Sequence, residues 1–448
     1  MRVDRATLSD LSILDPDAEG VSLFALLERT VSDLGRSALR QRMREPLSST
    51  AAIRDTQDAI RYVAAQWETT RHSIVAIDPD AVDRYLSLKW QAARGGSPVA
   101  RFIDRLSLRL RYGDAIRQIG LGVSCLRALF DGLSRLVDIA SRGPSLLNRY
   151  AARLEQVGDD AVIQDVRRYA AGRSLPAILD ADRLARGPAR DGIRQILGIV
   201  AELDALCGLA RATTEHQWCF PELVDDTGVL TLQGLHHPFL VGAVANDLAL
   251  TDRQRVLALT GPNMAGKSTV LKAAGIAVYL AHLGCGVPAR HARVSRFDVL
   301  LASLNVRDRL MNGQSFYLSE VRRIRDLVTE LAATPRVFAL LDEPFRGTNI
   351  PDATEATTLL VDGLCAQVAS TVIVATHLAT VVRSRAADPG LASYFLSATE
   401  NESGPTFDYR LQHGISEQRL GMVLLEREGV TPALRSAIQR RGTPVPSV

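Results

Sequence analysis

Val256-Leu257-Ala258-Leu259-Thr260, running straight into Gly261-Pro262-Asn263-Met264-Ala265-Gly266-Lys267-Ser268-Thr269, is the stretch on which the reading of the whole chain turns. The first five residues carry no charge and predict a buried strand. The next eight match the G-x-x-x-x-G-K-[ST] pattern of a P-loop, or Walker A, in full, and Thr269–Ala281 continues as a helix, which is the context that pattern requires. The glycines allow backbone N–H groups to turn inward around phosphate oxygens, and the helix N-terminus adds a partial positive charge there. Lys267 then neutralises the β and γ phosphates of a nucleotide, and the Ser268 hydroxyl ligates Mg²⁺. The plainer reading is a glycine turn that caps a helix. The strand before the loop and the helix after it favour the phosphate reading.

Towards the C-terminus the texture is one of short apolar runs alternating with helical segments. Arg255–Thr260, Phe297–Leu304, Val337–Leu341, Thr371–Thr376, Tyr394–Ala398 and Thr406–Leu411 read as strands, and their alternation with helices argues for a mainly parallel sheet covered on both faces. The run Val337–Leu341 ends in Asp342-Glu343, and a buried strand ending in two acids is costly unless they meet a cation. Downstream of a phosphate loop, Asp342 serves the Mg²⁺ shell, and Glu343 orients or deprotonates the attacking water. Thr371–Thr376 ends in His377, at the sheet edge that faces the ligand in open parallel folds. A lone histidine is more often a solvated or core residue; beside the other motifs, His377 becomes a candidate partner of the γ-phosphate. Asn312-Gly313-Gln314-Ser315 precedes a helix from Phe316, and on spacing alone Ser315 reads as its N-cap. It is equally a hydroxyl able to bind phosphate, on this subunit or another.

Towards the N-terminus, residues 1 to about 220 read as helices. Leu23, Leu26, Leu27, Val31, Leu34 and Leu39 recur at helical spacing from Ser22 to Arg44, where Pro46 ends the run; similar stretches cover about 51–66, 114–141, 146–171 and 189–212. Arg94–Pro98 and Arg142-Gly143-Pro144 read as loops. At 448 residues, with 46% hydrophobic and 23% charged residues, the chain is globular with two or three domains. No apolar run reaches the roughly 18 residues of a membrane helix, and the first residues are not those of a secretion signal. Five scattered cysteines (Cys125, Cys207, Cys219, Cys285 and Cys365) fit reduced thiols in a cytoplasm better than a disulfide scaffold or a zinc site. His236-His237 is no better as a zinc pair, since adjacent strand residues diverge. The net charge of +3 says little about nucleic acid. Arg101, Arg105, Arg109 and Arg111, like Arg322, Arg323 and Arg325, form helical basic faces with interleaved acids, which favours solvated faces over DNA contacts.

Taken together, these motifs resemble the MutS family of DNA mismatch-repair ATPases. Thr260–Thr269 is similar to that family's TGPNMGGKST, Asp342–Asn349 to its DE-x-x-RGT, and Ala375-Thr376-His377 to its ATH. Gly313-Gln314-Ser315-Phe316-Tyr317-Leu318-Ser319-Glu320 is similar to the signature loop G-x-S-x-F-x-x-E, and Gly234-Leu235-His236-His237-Pro238 to the GRHP entry to the ATPase domain. Ser22–Leu47, with Leu27-Glu28-Arg29-Thr30-Val31, resembles the core segment. The likeness extends from about Val21 to Pro432 and is thin between about 85 and 190.

The resemblance implies a role for each matched position. Gly261, Pro262, Asn263, Met264, Ala265, Gly266, Lys267, Ser268 and Thr269 surround the phosphates of ATP. Ser268 and Asp342 hold Mg²⁺, Glu343 handles the water, and His377 and Lys267 assist. Ser315 reaches the γ-phosphate held by the other protomer, against its reading as a cap. Val244 packs on adenine, and Tyr409 stacks on the same ring. The implied fold is α/β: an all-α core and lever domain over residues 1–220, a P-loop ATPase domain of the ABC type over 221–432, and a C-terminal tail over 433–448. The implied function is a Mg-dependent ATPase working as an ATP-gated homodimeric clamp on DNA, in the cytoplasm and off the membrane. A protein-binding scaffold switched by ATP is the alternative. A transporter ATPase fits less well, since L-S-G-G-Q is absent.

Departures from the family pattern bear on specificity. Only about 20 residues precede the core segment, so the mismatch and connector domains are expected to be missing. The sole Phe-x-Glu, Phe220-Pro221-Glu222, is expected in a loop rather than as an intercalating wedge. The helical half is short, implying a reduced or absent clamp. Ala265 replaces a loop glycine, which is tolerable where φ stays negative. Pro344-Phe345 replaces the usual pair after Asp-Glu.

Overall fold

The computed structural model describes residues 1–17, 19–88, 113–304, 316–366, 370–401, 404–416, 418 and 425–442. They form two compact units. One comprises Met1–Asp17, Cys219–Ala281 and Val287–Val448, and the other Ala18–Trp218 with His282–Gly286. The first segment holds strand β1 (Arg2–Val3) and helix α1 (Arg5–Asp10). It belongs to the sheet-containing unit, so residues 1–17 are not part of the helical domain expected over 1–220. Backbone pairing decides this: Arg2 lies opposite Val299 and Val3 opposite Leu300.

The helical unit consists of α2 (Leu23–Leu27), α3 (Asp33–Arg44), α4 (Thr50–Ala65), α5 (Trp67–Ile77), α6 (Pro79–Leu86), α7 (Gly113–Ser141), α8 (Ser145–Gly158), α9 (Ala161–Ala171), α10 (Leu175–Ala185) and α11 (Arg190–Glu215). Helix α11 packs against α3, α4 and α5. The continuous helix expected over 22–44 is broken at residues 28–32. Asp204 of α11, with no exposed surface, accepts hydrogen bonds from Val31 N and Ser32 N, both at 3.0 Å, and from Ser32 Oγ at 2.6 Å. A buried carboxylate is a stronger acceptor than the carbonyl a helix would offer, so the chain leaves the helix here. Ser32 then caps α3 through Gly35 N. A Cβ on Gly35 would lie 2.0 Å from Asp204 Oδ2, hence glycine. The run expected over 146–171 is likewise split, because Asp160 caps α9 through Val162 N and Ile163 N. The predicted turn at Arg142–Pro144 joins α7 to α8. Arg94–Pro98 and the Arg101–Arg111 face lie outside the described residues.

In the sheet-containing unit the strands are β2 (Glu222–Val224), β3 (Leu230–Leu235), β4 (Asn246–Leu250), β5 (Val256–Thr260), β6 (His291–Ser295), β7 (Val299–Ser303), β8 (Val337–Asp342), β9 (Thr371–Thr376), β10 (Leu391–Asn401) and β11 (Gly404–His413). The larger sheet has the order β1-β7-β8-β9-β5-β10-β11, parallel throughout except for the antiparallel last pair. All residues of β5, β7 and β9 are buried. Such uninterrupted burial requires cover on both faces. Ile324, Leu327 and Leu331 of α13 (Phe316–Ala333), with Leu360 and Leu364 of α14 (Ile350–Cys365), join one apolar core with Val256, Val299, Leu341 and Val374. Elsewhere α12 (Lys267–Leu283) comes so close that a Cβ on Gly275 would touch Leu340 and Leu11. The molecule is thus mixed α/β with a mainly parallel sheet, as expected.

A second sheet, β2-β6-β3-β4, was not foreseen as a sheet. Two short helices complete the unit, α15 (Ala379–Ser384) and α16 (Val430–Gly442). Helix α16 takes up residues 433–442, which the sequence reading assigned to a tail. Arg323 departs from the solvated-face reading: it pairs with Asp4 and donates to Ala302 O at 2.6 Å. Among the described residues no helix is long and apolar enough to cross a membrane.

Candidate functional site

The carboxyl ends of β8, β9 and β5 are neighbours in the sheet, which brings the loops after Thr260, Asp342 and Thr376 to one edge. After Thr260 the backbone turns through Gly261 (φ +148°), where a Cβ would sit 2.7 Å from Leu396 O. Met264 (φ +71°) and Gly266 (φ +96°) also take positive φ, whereas Ala265 does not. Alanine at 265 is therefore accommodated, and it is buried. Asn263 and Met264 are exposed.

Lys267 is 5% exposed and donates to Gly261 O at 2.9 Å and Pro262 O at 3.1 Å. Its Nζ also lies 3.5 Å from Glu343 Oε1. The Ser268 hydroxyl donates to Asp342 Oδ2, while Asp342 Oδ1 is buried with no hydrogen-bond partner among the described residues. Burial pushes the Asp342 carboxyl above the usual carboxylate range, the Ser268 hydrogen bond opposing this and the adjacent Glu343 charge adding to it. Glu343 moves the other way. The facing His377 imidazole, with Nδ1 3.7 Å from Oε1, together with the Lys267 ammonium holds it down at about 2 against its own burial. The Glu343 backbone is left-handed (φ +47°), and its N–H donates to Ala375 O at 2.8 Å. His377 is half exposed. The edge thus gathers a buried cation, a hydroxyl, two carboxylates of opposite tendency and an imidazole. Ser315 and the loop Asn312–Ser315 lie outside the described residues.

Beside the glycine loop opens a cavity of about 380 Å³, lined by Val244, Tyr409, Met264, Gly266, Thr269 and His237 among others. Val244 and Tyr409, far apart in sequence, thus line one cavity. Tyr409 has φ +54°. Asn246 secures it, donating from Nδ2 to Tyr409 O at 2.9 Å and accepting from Leu411 N at 2.7 Å through Oδ1. The sequence reading gave Asn246 no task; an asparagine opening a strand carries no signal of a partner so distant in sequence.

His237 was likewise set aside, yet it is 8% exposed and its Nδ1 accepts from Phe239 N at 3.3 Å. Burial, helped by the Lys272 charge, pushes the imidazole down to about 4. A histidine whose folded pKa lies below its ordinary 6.5 stabilises the fold at neutral pH, and loses that contribution as pH falls through the window between them. The expected loss is roughly 1.4 kcal/mol per pH unit within that window. Urea unfolding of wild type and His237→Gln between pH 7.5 and 4.5 checks this. The variant should show the shallower acid slope, and equal slopes would remove His237 from the account.

Two domain families match the chain. A family model described as MutS domain III matches residues 6–210, and one described as MutS domain V matches residues 257–439. Among curated proteins, the chain is 30% identical over 249 residues to the DNA mismatch repair protein MutS of Chlorobium limicola. That alignment takes in 54% of this chain and 28% of the relative, so the chain spans less than a third of the relative's length.

Proposed function

This chain is a MutS-related protein, and from that premise we propose that it hydrolyses Mg·ATP and acts as an ATP-gated dimeric clamp on DNA, without selectivity for mismatches. The observation that carries the proposal is Asp342 at the end of β8, its Oδ2 held by Ser268 and its Oδ1 buried without a hydrogen-bond partner among the described residues. A buried carboxylate oxygen left bare beside a hydroxyl suits a hard cation that takes oxygen ligands. Ser268 and Asp342 would hold Mg²⁺, which when bound supplies charge neutralisation at the phosphates. Lys267 stabilises the negative charge of the β and γ phosphates from its buried seat. Glu343, ionised throughout the working pH range, accepts the proton of the attacking water, and His377 faces both Glu343 and the phosphate position. Val244 and Tyr409 embrace the adenine, a role supported by their sharing one cavity with the glycine loop. Ser315 completes the site of the partner protomer. The P-loop fold of the ABC type is supported by the strand, loop and helix at 256–283 and by the parallel order of the neighbouring strands.

The proposal about mismatches rests on Phe220-Pro221-Glu222, the one Phe-x-Glu in this sequence. Phe220 and Pro221 lie in a loop, as expected, between the Cys219–Val287 bridge and Glu222, which opens β2 against β6. Held at both ends, this segment is not placed to act as a wedge, and where no wedge enters the stack the lower unstacking cost at a mispair does not become affinity. The test is a competition at fixed salt between a perfect duplex, a G·T duplex and a branched junction, with and without ATP. Binding that weakens with salt and is equal for the two duplexes is expected. A preference above about tenfold for G·T, roughly 1.4 kcal/mol, would mean that this chain reads mispairs. No binding to any of the three would favour an ATP-switched protein scaffold.

A further inference from the structure

Glu320 lies on α13, one turn before Arg323, and is 3% exposed. Its carboxylate accepts from Gly347 N at 3.2 Å. The Gly347 N–H thus reaches a carboxylate on another element, as a bound anion would be reached elsewhere.

Gly347 belongs to the loop that carries Glu343. Two of its non-glycine residues, Glu343 (φ +47°) and Phe345 (φ +64°), are left-handed. Such conformations persist only where the surroundings impose them. Glu343 is tied to β9 through Ala375 O, and Pro344 O accepts from Thr357 Oγ1 on α14 at 3.4 Å. Gly347 is held by Glu320. Helix α13 is itself fixed, since Arg323 bonds to Ala302 O, Thr7 and Asp4.

We propose that Glu320 is a positioning residue for ATP hydrolysis: it locks the loop 343–347 in the left-handed course that keeps the Glu343 carboxylate beside Lys267 and His377. The proposal rests on Glu343 being the base. Without the Glu320 carboxylate the Gly347 N–H loses its acceptor, the loop relaxes, and the base swings out of line, while the glycine loop that binds nucleotide is untouched. Chemistry should therefore suffer and binding should not.

The test measures kcat and KM for Mg·ATP in the full chain for wild type, Glu320→Ala, Glu320→Gln, Glu343→Gln and the double variant Glu320→Ala/Glu343→Gln. Misplacing a reacting group by about 1 Å can cost about 10²-fold. Glu320→Ala is expected to lose between about tenfold and 10²-fold in kcat with KM changed by less than about threefold. Glu320→Gln, which keeps an acceptor oxygen, should recover part of that rate. In the Glu343→Gln background the Ala substitution should cost nothing further, because both act on the same step. If Glu320→Ala does not fold, the Gln variant carries the comparison with its own loss of kcat at constant KM. Wild-type kcat in Glu320→Ala alongside an inactive Glu343→Gln overturns the positioning role alone. Additive losses in the double variant overturn it too. Wild-type turnover by Glu343→Gln overturns the base assignment and this proposal with it.

Discussion

Glu343→Gln is expected to bind Mg·ATP about as tightly as wild type and to hydrolyse it about 10²- to 10⁴-fold more slowly, so that a nucleotide-bound, closed dimer accumulates. Lys267→Ala is expected to fail one step earlier, at binding. The two residues lie 3.5 Å apart, and their substitutions should nonetheless separate cleanly. His377 and Lys267 hold the Glu343 carboxyl down, so it stands as a carboxylate facing the site, able to orient water and accept its proton as charge develops. Glutamine keeps the size and removes the basicity. Lys267 supplies the buried cation that the phosphates require, and it also bonds the Gly261 and Pro262 carbonyls that shape the loop. Its removal takes away the charge and loosens the curl together. A charged hydrogen bond contributes about 1.5–3 kcal/mol, so a loss of binding of at least tenfold follows. Equilibrium binding of labelled ATP, phosphate release and light scattering on the same samples give the three readings. Wild-type phosphate release from Glu343→Gln would assign the base elsewhere.

Asp204→Ala should destabilise the helical unit by about 3–5 kcal/mol. The carboxylate satisfies two backbone N–H groups and a hydroxyl at the break between α2 and α3, and alanine leaves all of them without that acceptor. The cavity it opens is small, because Gly35 already stands against the carboxylate. The loss is therefore one of hydrogen bonding rather than packing. An asparagine side chain would still offer one acceptor oxygen, so Asp204→Asn should lose about half as much. Urea unfolding followed by far-ultraviolet circular dichroism, which reports mostly on helix, measures both. A midpoint for Asp204→Ala within about 0.5 kcal/mol of wild type would show that water can replace the carboxylate.

The large sheet was legible because strands covered on both faces are continuous apolar runs, as in Val337–Asp342 and Thr371–Thr376. The small sheet left a fainter trace. Leu230–Leu235 alternates buried and less buried positions along its first residues, a pattern that could have been read. Strand β1, two residues long, offers no period at all. Helix breaks at 28–32 and 159–160 depend on acids: Asp160 acts locally, whereas Asp204 acts from α11, out of reach of any local pattern. The same distinction holds at the site. Lys267, Ser268, Asp342, Glu343 and His377 could be named because each closes a strand or opens a helix in a recognisable run. Asn246, His237 and Glu320 were given no task of their own, because each is defined by the loop or cavity it faces, at Tyr409, Val244 and Gly347.

The position of residues 1–17 sets a timetable. These residues leave the ribosome ahead of all the others described, yet the partners of Arg2, Thr7 and Asp10 are Val299, Ala302 and Leu304. At 5–20 residues per second, roughly 15–60 s pass before those partners exist. Most of the helical unit, Ala18–Trp218, is made well before then. Leu11 and Ile13, both buried in the finished protein, must meanwhile stay in water or in the care of a chaperone. Until β1 arrives, β7 remains an open edge. Residues made well ahead of their partners are thus among the last to find their place.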